Sequence, residues 1–95
     1  MKHEIVAIKK FVIVGPYTLK IFFDDSTEKL INFLPMLKGE IYGPLVDESF
    51  FNTVQIDPEI KTLVWPNGAD FDPSILHNWD AVKDELFSRA ASWAN

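Results

Sequence analysis

From Glu4 to Val14 the chain is dense in β-branched residues (Ile5, Val6, Ile8, Val12, Ile13, Val14), interrupted by the Lys9-Lys10 pair. That composition reads as a first strand, and two adjacent lysines break strict alternation, which predicts a bulge or an edge position there. Gly15-Pro16 should turn the chain. Tyr17, Leu19, Ile21 and Phe23 then fall on one face, with Thr18, Lys20 and Phe22 on the other, the period of two that marks a strand. Asp24-Asp25-Ser26-Thr27 is a polar turn, and Glu28 to Leu34 a third strand. Connections this short join antiparallel neighbours, so the three strands should form a meander.

Between Pro35 and Pro44 the pattern loosens. Pro35, Gly39, Gly43 and Pro44 exclude a long helix, leaving room for a single turn at Met36-Leu37. Asp47 fits the N-cap of a short helix through Phe50-Phe51, with Glu48 placed against its positive end. Val54-Gln55-Ile56 and Thr62 to Trp65 read as a fourth and a fifth strand around the turn Asp57-Pro58-Glu59. Asn67-Gly68 is another turn signal. Asp72-Pro73 has the form of an N-cap followed by proline at the first helical position. Trp79, Val82, Leu86, Ala90 and Trp93 recur every three or four residues, giving one apolar stripe on a helix over about 78–94, supported by a Glu85–Arg89 pair. The expected architecture is α+β: an antiparallel sheet of about five strands (three-strand meander, short helix, two strands) covered on one face by the C-terminal helix. The Tyr17/Leu19/Ile21/Phe23 face is the expected seat of the apolar stripe.

Composition supports a packed core in a single domain over residues 1–95. The chain is 47% hydrophobic and 14% aromatic, with eight Phe and three Trp; folded chains of this size hide roughly 60–65% of their unfolded surface. So many rings in so small a domain leave a homodimer open as a way to cover the surplus. There is no cysteine, which removes disulfides, thiolate metal sites and cysteine nucleophiles. No long apolar run spans a membrane, and Met1-Lys2-His3-Glu4 does not begin a signal peptide, so the expected location is the cytoplasm.

Charge narrows the choice of function. The formal net charge is −5, and it is unevenly placed. Through residue 40 six lysines slightly outnumber Glu4, Asp24, Asp25, Glu28 and Glu40, whereas after it nine acids face only Lys61, Lys83 and Arg89. An acidic surface repels nucleic acid and steers basic partners toward itself. Lys9, Lys10 and Lys20 with Tyr17, Phe22 and Phe23 could line a stacking surface for bases, but the aromatics serve a core more economically and the total charge opposes it.

Chemistry is sparse. His3 and His77 are the only histidines and neither lies beside a nucleophile motif; His77, early on a helix, reads as a surface or half-buried structural residue. The four glycines are scattered, so no phosphate-cradling loop forms. Asp70 and Asp72 bracket Phe71 at a spacing hard cations use, yet capping and solvation explain them more simply. No enzyme, cofactor or metal is expected.

The block Trp65-Pro66-Asn67-Gly68-Ala69-Asp70-Phe71-Asp72-Pro73-Ser74-Ile75-Leu76, with Tyr17-x-Leu19-x-Ile21-x-Phe23-Asp24, Gly43-Pro44-Leu45 and Phe50/Phe51-x-x-Val54, resembles a bacterial family of short proteins, domain of unknown function 2442. The likeness spans about residues 3–77. The family usually shows Asp-Gly in a hairpin turn where this chain has Asp25-Ser26, and serine accepts positive φ less readily than glycine. The resemblance implies a compact α+β domain, in some members fused to a helix-turn-helix and in many encoded beside a second small protein in toxin–antitoxin-like pairs. One helix after residue 78 is too little for a helix-turn-helix, so no direct nucleic-acid binding is expected. Two functions follow: a non-catalytic, antitoxin-like interaction module for a small basic protein encoded nearby, or a small-ligand or sensing domain built on Trp65, Asn67, Gly68 and Asp70.

Overall fold

The computed structural model describes residues 6–93. Strand β1 (Ile8–Gly15), β2 (Thr18–Phe23) and β3 (Glu28–Asn32) form the antiparallel meander in the order β1-β2-β3. Regular pairing starts at Ile8, so the Glu4–Ile5 end of the expected first strand and His3 lie outside the described residues. The register slips between Ile8 and Lys10, where Ile8 faces Phe23 but Lys10 faces Phe22, so the lysine pair does carry a bulge. Among the described residues three take left-handed backbone without being glycine: Tyr17 at φ 57° and Ser26 at φ 71° in the turns of the meander, and Lys61 at φ 57°. The Asp25-Ser26 turn therefore keeps a conformation that glycine would adopt more cheaply.

Leu19, Ile21, Phe23 and Ile31 point inward and are fully buried. Beyond β3 the chain becomes a series of single turns. A 3-10 turn at Leu34–Met36, helix α1 (Gly39–Tyr42), a second 3-10 turn at Gly43–Val46 and helix α2 (Glu48–Phe51) follow one another. Pro35 and Pro44 each sit in the first turn of a 3-10 element, where a missing N–H costs nothing. Asp47 caps α2 as expected, accepting from the N–H groups of Ser49 and Phe50. Strands β4 (Gln55–Ile56) and β5 (Leu63–Val64) pair antiparallel, so the five strands divide into a three-stranded and a two-stranded sheet.

Helix α3 (Pro73–His77) is capped by Asp72, and α4 (Trp79–Trp93) follows after a break at Asn78. The Asn78 side chain helps to end α3 by donating to the Ser74 carbonyl. Position 94 lies outside the described residues. Along α4 Trp79 and Ala90 are buried, Val82 and Leu86 half-buried, and Trp93 is exposed on one side. The expected Glu85–Arg89 pair closes at 2.7 Å. The inner sheet face is covered jointly: α3 meets Phe23 through His77, α2 meets Tyr17 through Phe51, and Trp79 of α4 packs on Phe33. Among the described residues no helix is long and apolar enough to cross a membrane.

Phe33 is the centre of this arrangement. It is completely buried, and its ring lies 5.2–6.4 Å from those of Phe51, Trp65, Phe71 and Trp79. Truncation to alanine should cost roughly 3–5 kcal/mol, read as a lower urea midpoint at unchanged far-ultraviolet dichroism of the remaining folded fraction. Gly39 is the second sensitive point, with φ +84° and a position where an added Cβ would stand 2.9 Å from Trp93 Cβ. Gly39→Ala should destabilise by roughly 2–4 kcal/mol; in a Trp93→Gly background, which removes the clashing Cβ, the same change should cost only the backbone share.

Candidate functional site

The four residues singled out by sequence lie in one tight hairpin after β5. Trp65 is 3% exposed, its ring set among Phe33, Phe51 and Phe71. Its indole N–H donates to the Phe51 carbonyl at 2.9 Å, which satisfies the one polar atom that burial would otherwise penalise. Gly68, at φ +90°, donates its N–H to the Trp65 carbonyl, and Trp65 N–H bonds to Ala69. Asn67 works in two directions: Oδ1 accepts from Ala69 N–H, and Nδ2 donates to the Ile41 carbonyl of α1. Asp70 bridges back to Val64, and its carbonyl accepts the Tyr42 hydroxyl at 2.8 Å. Burial, with the nearby Asp70 charge, raises the Tyr42 hydroxyl above its ordinary ionisation range. The hairpin is thus tied to α1 and α2, and of the four only Asp70 offers solvent a charged group. Tyr42, stacked between Phe71 and Trp93, carries much of this connection. It stood in the stretch where hydrophobic periodicity is lost, and no sequence signal marked it.

Concave surface lies elsewhere. A cleft of about 340 Å³ opens where the β1 bulge meets the turn after β2, lined by Lys9, Lys10, Phe22, Asp24, Thr27 and Glu28 among others. Beside this turn Asp25 accepts from Thr27 N–H and from His77 Nε2–H, the latter at 2.7 Å. The His77 ring stands edge-on to Phe23 at 5.0 Å, half-buried, and its Nδ1 has no hydrogen-bond partner among the described residues. The outward face of the meander presents Phe22 with Lys10 at 4.6 Å and Lys20 at 5.5 Å from its ring centre, while Lys20 pairs with Glu28. The basic-aromatic set noted in the sequence is therefore split, since Tyr17 and Phe23 turn to the core side. Asp72 spends its carboxylate on Ser74, and no three His, Asp or Glu side chains gather in a metal-binding arrangement among the described residues.

Asp25 supplies a pH test of the turn. Hydrogen bonds from the Thr27 side chain and N–H, then His77, lower its carboxyl to about 2. An unfolded aspartate ionises near ~3.9. The resulting stabilisation is complete above the unfolded value and is lost as pH falls through the folded one. Wild type and Asp25→Asn should accordingly differ in thermal midpoint at neutral pH, and that difference should shrink between pH ~4 and ~2.

A family model described as "Protein of unknown function (DUF2442)" matches residues 8–81, from the start of β1 into the first turn of α4. No curated protein and no solved structure gives a match. The matched stretch takes in both sheets, the four short helical turns between them, α3 and the Trp65–Asp70 hairpin, which is most of the chain. The protein is a member of the DUF2442 family.

Proposed function

We propose that this protein is a non-catalytic interaction module that holds a small basic protein, in the manner of an antitoxin and its toxin. The observation that carries the reading is how the acids after residue 40 are used. Asp47, Asp57 and Asp72 accept backbone N–H groups at the starts of turns and helices. Asp80 pairs with Lys29 and Glu85 with Arg89. Of the nine acids this leaves four, Glu48, Glu59, Asp70 and Asp84, exposed and without a side-chain hydrogen bond or ion pair among the described residues. Carboxylates without a structural task are the ones free to meet a cationic partner, and their field would speed its approach.

The test is co-expression with any small basic protein encoded beside this one, followed by co-purification and a binding isotherm. Affinity should fall as salt is raised, because exposed charges are screened within about 8–10 Å at moderate ionic strength. Replacing three of these acids together (Glu59→Gln, Asp70→Asn, Asp84→Asn) should leave the melting temperature near wild type and weaken binding at least tenfold; Glu48 is kept because it faces the positive end of α2. Binding that ignores both salt and these substitutions would sink the proposal.

A further inference from the structure

Strand β1 is an edge strand, and its free edge has defined ends. Phe23 N–H bonds to Thr27 and Phe33 N–H to Tyr17, which turns the odd-numbered residues of β2 toward β3. The alternate residues Thr18, Lys20 and Phe22 therefore face β1, where Phe22 and Lys20 pair with Lys10 and Val12. By the same alternation the N–H and C=O groups of Phe11 and Ile13 point away from the sheet. At one end of this edge Ile8 N–H is already taken by the Lys61 carbonyl at 2.9 Å. At the other, Pro16 cannot continue a ladder. Among the described residues no backbone hydrogen bond reaches the edge between Lys9 and Gly15 from outside the sheet.

We propose that this edge pairs with the same edge of a second copy of the chain, antiparallel about a two-fold axis at Val12, to give one six-stranded sheet. The register follows from the free groups. Only Phe11 and Ile13 offer outward amides, and the middle of the free stretch 9–15 is residue 12. Pairing about that point sets Phe11 against Ile13 of the second copy and Ile13 against Phe11, with about four hydrogen bonds across the junction. It also brings the second copy's Gly15-Pro16 turn to the place where Lys61 closes the edge. Side chains agree with the backbone. Val12 and Ile13 are 47% and 41% exposed, which is unusual cover for two consecutive aliphatic residues in a strand. In this register Ile13 lies over the half-buried Phe11 of the second copy on the core side, and the two Val12 side chains meet on the other. Lys10 faces Val14 rather than its own counterpart, about 14 Å away. That exceeds the screening length of roughly 8 Å in physiological salt, so the lysines do not oppose pairing. The surface is separate from the free acids, and its test does not depend on them.

The absence of native cysteine gives a direct test. In this register Val12 stands opposite itself at a non-hydrogen-bonded position, where Cα atoms are about 4.5 Å apart and a disulfide can close. Val12→Cys should cross-link to a covalent dimer on mild oxidation at micromolar protein, whereas Leu30→Cys, 68% exposed on the same sheet face, should not. Sedimentation of the wild-type chain should show a concentration-dependent dimer. Ile13→Pro deletes an outward N–H that no bond among the described residues uses, and should yield a monomer with unchanged circular dichroism. A wild-type chain that stays monomeric at every concentration overturns the proposal, and so does equal cross-linking of the two cysteine variants. The first is also the result expected if the edge receives a strand from a different protein.

Discussion

Phe33 occupies the point where the regular half of the chain hands over to the irregular half. Its N–H still bonds to Tyr17 as the last rung of the meander, while its carbonyl already accepts from Met36 in the first 3-10 turn. Its ring meets one aromatic from α2, one from the end of β5, one from the segment before α3 and one from α4. The elements after residue 33 are mostly two to five residues long and could not persist in isolation, since short helices and two-stranded hairpins are marginal in water. Four points along this half, in α2, after β5, before α3 and at the start of α4, are anchored by an aromatic delivered to the same ring. Five of the thirteen aromatic side chains gather there.

What could be read from the residues follows from where a periodic or local rule governs. The meander was legible because alternation over Leu19, Ile21 and Phe23 is a direct consequence of the strand repeat. The caps at Asp47 and Asp72 were legible because a side chain bonding to the backbone two residues on needs no tertiary context. Residues 35–46 were not, because single turns are shorter than the window in which any periodicity shows. The roles of Gly39 and Tyr42 depend on Trp93, more than fifty positions away, and no local pattern announces such a contact. The break at Asn78 escaped for a related reason: the stripe begins at Trp79, and capping by Asn78 is a detail of one side chain. Trp65 and Asn67 drew notice as a block. In space the block is tightly held, because the Trp65 indole and both polar atoms of the Asn67 side chain are hydrogen-bonded to backbone.

The uneven charge also has a physical origin. A chain that builds its second half from many short elements has many helix and turn starts, and each start exposes backbone N–H groups that aspartate satisfies well. Asp47, Asp57 and Asp72 answer that need, and the hydrogen bonds from Ile60 and Glu59 hold the Asp57 carboxyl below its ordinary range. Part of the acidity is therefore the consequence of architecture. Of the remainder, Glu48 faces the positive end of α2, while Glu59, Asp70 and Asp84 have no such task among the described residues.

The bulge in β1 shows the same logic at the opposite edge of the molecule. Ile8 and Phe11 both turn toward the core side, yet they are three residues apart, and a strand repeat of two cannot place both there. Regular pairing through this stretch would carry Lys10 and Val12 inward and expose Phe11 and Ile13 instead. One extra residue at the lysine pair resolves the conflict, leaving both lysines in water. The bulge has a second effect, because it also reverses which amides face outward. Before it the outward group is Ile8, which Lys61 satisfies; after it they are Phe11 and Ile13, which nothing among the described residues satisfies. A device that keeps charge out of the core thereby decides which rungs of the edge remain open, and it sets them among aliphatic side chains rather than lysines.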